Sequence, residues 1–168
     1  MPHGAPPLMI CYHQKKVGAA WMNKGEVSME KPFYEWIDHT ADVGFRVTGK
    51  TLDELFQRAG AAFTDLMVDL SDVNPVEERS LRLEGDSLDE LLVAWLSELL
   101  YLFETEGLLF SEFRVTVGPG VSLKATLRGE RPDPERHRWK LAVKAVTYHQ
   151  AEVAPINGGW RAQVILDI

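Results

Sequence analysis

Two eleven-residue stretches, FRVTGKTLDEL (Phe45 to Leu55) and LRLEGDSLDEL (Leu81 to Leu91), superpose at an offset of 36 residues. Each reads as an apolar strand, a glycine and then a capping box, Thr51-Leu-Asp-Glu54 or Ser87-Leu-Asp-Glu90. In such a box the hydroxyl and the carboxylate reciprocally satisfy amides that the first helical turn leaves unpaired. Strand must therefore give way to helix twice, at equivalent points, and the fold must mix the two. A solenoid of this period would need further copies to bury its core, and the chain has none. That leaves a duplicated strand–helix unit inside one domain, or a chance likeness between two common boxes.

Hydrophobic periodicity fills in the remainder. Phe33 to Ile37 and Val43 to Thr48 read as short strands. The first helix is predicted to run to about Met67, with Leu52, Leu55, Phe56, Ala59, Phe63, Leu66 and Met67 on one face. Asn74-Pro75 ends that unit. Leu81 to Glu84 form the next strand, and the second helix passes through Leu91, Trp95, Leu99 and Leu102, with Gly107 placed to close it. Its LLVAWLSELLYLF run is apolar nearly all round, which predicts a position deep between other elements. Strands are then expected at Phe110 to Val117 and Ser122 to Arg128, around the turn signal Gly118-Pro-Gly120. A polar loop, Arg131 to His137, precedes expected strands at Trp139 to Tyr148, Gln150 to Ala154 and Trp160 to Leu166. Asn157-Gly158-Gly159 marks the last hairpin. The expected class is α+β: two main helices packed on a largely antiparallel sheet.

With 168 residues the chain suits one full domain. Its net charge of −7 is uneven, since Lys15, Lys16, Lys24 and Glu26 give residues 1–28 a charge of +2 and leave −9 on residues 29–168. Phosphate backbones bind through Lys and Arg that displace counterions, so a domain this acidic is not expected to contact nucleic acid directly unless a local basic patch intervenes. Basic protein surfaces and cations are its expected partners. No apolar run is long enough to span a bilayer. The lone Cys11 excludes an internal disulfide and suits a reducing cytoplasm. Residues 1–28 lack the charge order of a signal peptide. Codons for Gly25-Glu26-Val27-Ser28 can contain GGAGGT just ahead of an ATG at Met29, so one reading starts translation there; a flexible leader is the other.

The familiar catalytic motifs, such as a nucleophile elbow, a phosphate-cradling loop or H-E-x-x-H, are missing, which argues against an autonomous enzyme. Three places could carry chemistry: Asp38-His39-Thr40-Ala41-Asp42, Lys144-Ala-Val-Thr-Tyr-His149, and the end of the chain, Asp167-Ile168. Alternation puts Lys144, Val146 and Tyr148 on one face. Should Asp42 meet Asp167 and the carboxylate of Ile168, three anionic oxygen groups would converge and could not all stay ionised without a cation. An all-oxygen set selects calcium, magnesium or manganese over zinc or copper. The competing reading makes Asp38 and Asp42 turn or capping carboxylates, and His39 and His149 structural histidines.

Residues 29–168 closely resemble the archease family, the small acidic proteins that partner the tRNA-splicing RNA ligase RtcB. The segments carrying the resemblance are IDHTADVGFRVTG, LDELF, LLVAWLSELLYLFETEGLLF, KAVTYH and the terminal LDI. The resemblance implies an α+β fold with a divalent-cation site at Asp42, Asp167 and Ile168. It also implies a non-enzymatic role in the cytoplasm, promoting ligase guanylylation and multiple turnover in tRNA splicing or RNA repair. A metal-dependent hydrolase or nucleotidyl enzyme using the same carboxylates is the alternative, and a chaperone-like modulator of nucleic-acid-processing enzymes is a third. The resemblance assigns no role to Asp38, His39, Lys144 or His149.

Overall fold

The computed structural model describes residues 33–38 and 42–168. The expectations for the leader and for Met29 lie outside the described residues, as does His39 within the 39–41 segment. In chain order the elements are β1 (Tyr34–Asp38), β2 (Asp42–Gly49), α1 (Leu52–Met67), β3 (Glu77–Glu84), α2 (Leu88–Glu106), β4 (Leu109–Gly118), β5 (Ser122–Glu130), β6 (Ala145–Val146), β7 (Glu152–Ile156) and β8 (Gly159–Asp167). The α+β class holds, with every ladder antiparallel.

Both capping boxes form. Thr51 and Ser87 accept from the amides of Glu54 and Glu90 at 3.1 and 3.2 Å. The glutamates reach back one residue beyond the cap, to the amides of Lys50 and Asp86 at 2.9 and 3.2 Å. The duplicated aspartates also do one job twice. Asp53 accepts from the amide of Val117 in β4, and Asp89 from that of Val153 in β7. Each thereby pairs a strand amide that would otherwise lack an acceptor. Gly107 ends α2 in the left-handed conformation (φ 66°), which glycine adopts without a Cβ penalty.

The strands form two sheets rather than one, β1-β2-β8 with β6 and β7 on the far edge of β8, and β3-β5-β4. Both helices lie between them: α1 packs on β2, β8 and β4, and α2 on β6, β7, β3 and β4. The two repeat strands therefore sit in different sheets, β2 central in one and β3 at an edge of the other. The deepest helix is α1, buried on every side from Ala59 to Met67. Sequence periodicity favoured α2 because Gly60, Thr64 and Asp65 of α1 are not apolar. α2 is deep only between Leu91 and Leu100; Tyr101, Glu104 and Thr105 face solvent.

Two expected strands change. β3 begins at Glu77, four residues earlier than its apolar pattern, because its inward positions there carry ion pairs. Arg79 meets Glu106 at 2.8 Å and Arg131 meets Glu77 at 3.5 Å. Trp139 to Tyr148 keeps strand-like alternation, burying Leu141 and Val143, yet forms a ladder only at Ala145–Val146. Its amides bond instead to the end of α1 (Lys140 to the Met67 carbonyl) and the end of β8 (Lys144 to that of Asp167), each at 2.8 Å. Lys144 and Tyr148 both lie just outside the two-residue strand, and both are exposed. No described helix is long and apolar enough to cross a membrane.

Candidate metal centre at the end of the sheet

β2 and β8 pair along their whole lengths, and their last register pair is Asp42 with Asp167. Directly opposite residues of an antiparallel pair share a face, with Cβ atoms about 4.5–5.5 Å apart. The inward set Val43, Phe45 and Val47 packs on the core with Leu166, Val164 and Ala162, so parity places both aspartates on the outer face. Asp42 is half-buried and Asp167 exposed. Among the described residues neither carboxylate has a lysine or arginine within ion-pair distance. Like charges directly opposite one another cost stability, and no described cation offsets that cost.

The surroundings fix this end of the sheet. Ala145 flanks Asp167 from the other side, and the Lys144 amide donates to the Asp167 carbonyl at 2.8 Å. Ile168 packs its side chain on the core, immediately after Asp167. Two residues along, Ile165 is buried on the outer face, and a Cβ on Gly44 would lie 2.7 Å from its Cδ1. Such close seating leaves no room for the strands to slip in register.

Of the predicted ligands, the fold brings Asp42 and Asp167 into direct register and leaves the end of the chain adjoining them. Asp38 ends β1 as the register partner of Val43, so parity sets it at the rim of the core-facing side, exposed and on the opposite face from Asp42 and Asp167. His149 is exposed in a turn whose next residue, Gln150, is left-handed (φ 55°). Lys144 is exposed and held by its main chain. Among the described residues no three His, Cys, Asp or Glu side chains gather as a metal-holding set. The third donor here would be main-chain carboxylate. Two side-chain carboxylates and a terminal one make a wholly anionic oxygen set, which fits a hard divalent cation.

Sequence reasoning missed the buried polar groups, of which Asp65 and His137 are the titratable ones, and both are structural. Asp65, in α1, accepts from the Tyr34 hydroxyl at 2.8 Å and the Leu70 amide at 3.0 Å, with Lys140 at 3.4 Å. His137, expected in a polar loop, is buried with Nδ1 accepting from the Asp133 amide and Nε2 against the Asp72 carbonyl and Glu130. Arg136 grips the same Glu130 carboxylate and holds it below its ordinary range, aided by the Asn74 amide. Asp65 carried no signal in its own stretch because Tyr34 and Lys140 are remote in sequence, whereas His137 is held partly by its own loop, through Asp133 and Glu130, and partly by the distant Asp72 carbonyl.

Comparison with known proteins follows the same boundaries. The model of the Archease protein family (MTH1598/TM1083) matches residues 34–168. A protein archease from Methanosarcina mazei is 42% identical over 139 residues, covering 80% of this chain and 95% of that protein. The solution structure of Methanobacterium thermoautotrophicum protein 1598 superposes with a TM-score of 0.72 at 38% identity, over 81% of this chain and 99% of that one. The crystal structure of an archease, possible chaperone, from Thermotoga maritima shares the fold at TM-score 0.53 and 20% identity, over 85% of this chain and all of that one.

Proposed function

The chain belongs to the archease family, and from that premise we propose that it is a non-enzymatic activator of an RtcB-type RNA ligase in the cytoplasm, working through a divalent-cation site at Asp42, Asp167 and Ile168. The observation that carries this reading is the register pairing of Asp42 with Asp167 at the sheet end, without a counter-charge among the described residues.

The two side-chain carboxylates and the terminal carboxylate would hold calcium, magnesium or manganese. Such an ion, when bound, supplies positive charge beside phosphoryl oxygens. The residues themselves position it. Asp42 and Asp167 are fixed by the β2–β8 ladder, and Ile168 by its seat on the core. The domain's negative charge complements a basic RNA-joining partner and favours rapid encounter. Accessory action at guanylylation needs this sheet end to face the ligase, and the ladder holds it with Asp167 exposed.

The test is ligase turnover and guanylylation with and without this protein, using RNA ends bearing a 3′-phosphate and a 5′-hydroxyl. Stimulation by the natural protein and its loss in Asp42→Ala, with the fold intact, is the expected result. Full stimulation by Asp42→Ala removes the cation from the role. Nucleotide or phosphate ester hydrolysis by this protein alone would replace the reading with a metal-dependent hydrolase, and equal rescue of unrelated unfolded clients would replace it with a chaperone.

A further inference from the structure

The outer face of the β3-β5-β4 sheet carries a basic cluster that makes no ion pair among the described residues; Glu84 borders it at one end and the Glu78–Arg128–Glu112 row at the other. Arg82 is the register partner of Lys124, and Lys124 of Thr116; in the adjacent row Ser80 pairs with Thr126, and Thr126 with Arg114. The inward set Leu81, Leu83, Leu123, Ala125, Phe113 and Val115 faces the core, so these six positions share the opposite, solvent side. Arg82, Lys124 and Arg114 are all exposed. Among the described residues none of the three has an acidic partner within 4.0 Å.

The next row on the same face shows the contrast. There Arg128 lies between Glu78 and Glu112, at 4.0 and 3.4 Å, and is neutralised. Two rows further on, cations stand directly opposite each other, an arrangement that costs sheet stability. In a domain whose net charge is −9 beyond residue 28, such a concentration is the reverse of the average.

We propose that this sheet face binds the backbone of duplex RNA. Arginine, lysine and short hydroxyls are the groups that contact phosphate oxygens, and here they alternate across three strands. The face presents no aromatic ring at Ser80, Arg82, Arg114, Thr116, Lys124 or Thr126, so it offers no platform for unpaired bases. It also lacks the apolar anchor around which protein interfaces concentrate their energy. A sheet face bearing hydroxyls suits the broad, shallow minor groove of A-form RNA, where 2′-hydroxyls and phosphates line the surface. The inference is independent of the ligase and of the cation site. It also sets aside the expectation from net charge that nucleic acid is not contacted, because a sum over the surface hides a local cluster.

The test is titration of the full ¹⁵N-labelled chain with a short RNA duplex, read by amide shifts. Shifts are expected in Ser80–Arg82, Arg114–Thr116 and Lys124–Thr126. With three cations displacing counterions, affinity should fall by about 40-fold between roughly 50 and 200 mM salt. Arg82→Gln, Lys124→Gln and Arg114→Gln should each flatten the log–log salt slope by about 1, while Arg161→Gln in the other sheet leaves it unchanged. Absence of shifts at the lower salt, or shifts confined to other surfaces, overturns the proposal. Equal affinity for B-form DNA of the same sequence overturns its commitment to RNA. Tighter binding of poly-glutamate at the same residues makes the partner an acidic protein instead.

Discussion

Asp42 and Asp167 are register partners, one opening β2 and the other closing β8, so two like charges from opposite ends of the domain face each other across one ladder. Without a cation the pair opposes folding. Asp42→Asn should therefore leave the metal-free protein as stable as the natural one or more so, by about 0.2–1 kcal/mol. With calcium or manganese at about a hundredfold excess over Kd the natural protein should gain about 2.7 kcal/mol, and the variant should gain far less. Thermal melts in chelator and in excess cation read both. A natural melting point indifferent to every divalent cation eliminates the site.

The terminal carboxylate can be tested separately from the side chains. Ile168 holds its place through apolar packing, which a short Gly-Ser-Gly extension after it would preserve while moving the charge away. Melting in chelator should change little, and the cation-induced rise should shrink. A rise of full size in the extended protein would leave Asp42 and Asp167 as the only anionic donors.

Much of this was legible from local signals, and the failures share a cause. The TLDE and SLDE boxes, the left-handed cap at Gly107 and the Asn157-Gly158 turn depend on neighbours in sequence, and each formed where its residues stand. The splitting into two sheets depends on which strands meet, and period alone does not encode that. The deep position of α1 was hidden because Gly60, Thr64 and Asp65 satisfy packing or hydrogen bonds with β4, Tyr34 and Lys140, all remote in sequence. At the candidate centre, the residue types pointed to oxygen ligation, while the face-to-face placement of Asp42 and Asp167 needed the ladder.

Acid should remove the stabilisation that Glu130 gives the loop around His137. Glu130 accepts two bonds from Arg136, at 2.7 and 3.0 Å, and one from the Asn74 amide at 2.9 Å. Its folded carboxyl is held below the ordinary value of 4.5, chiefly by Arg136. The stabilisation is therefore complete above that value and is lost as pH falls through the depressed folded one. Glu130→Gln should cost about 1.5–3 kcal/mol near neutrality, the worth of hydrogen bonds to a charged group, and the deficit should narrow on acidification. Denaturant melts of both proteins at neutral and acidic pH measure it; a deficit independent of pH would mean that packing, not charge, holds the loop.

Gly60 sits where α1 crosses beneath β4, and two effects of opposite sign meet there. Alanine is the better helix former by about 0.8–1 kcal/mol. A Cβ at this position, however, would lie 2.8 Å from Cδ1 and 2.9 Å from Cε1 of Phe113, and 3.1 Å from Cζ2 of Trp95. Those rings are themselves wedged edge-to-face with centroids 6.1 Å apart, and Trp95 is tethered by its indole N–H to the Phe56 carbonyl at 2.9 Å. Neither ring can swing aside as a flexible chain end would. Overpacking of this kind costs about 1–3 kcal/mol, so Gly60→Ala should destabilise on balance despite its helical gain. Phe113→Leu alone should also destabilise, by opening space beside Trp95. Combined, the two changes should cost less than their sum, because the leucine vacates the volume the new methyl needs. A double-mutant cycle on unfolding free energies reads this coupling. Strict additivity would show that the helix and β4 shift apart instead, and that contact between Gly60 and Phe113 does not set their spacing.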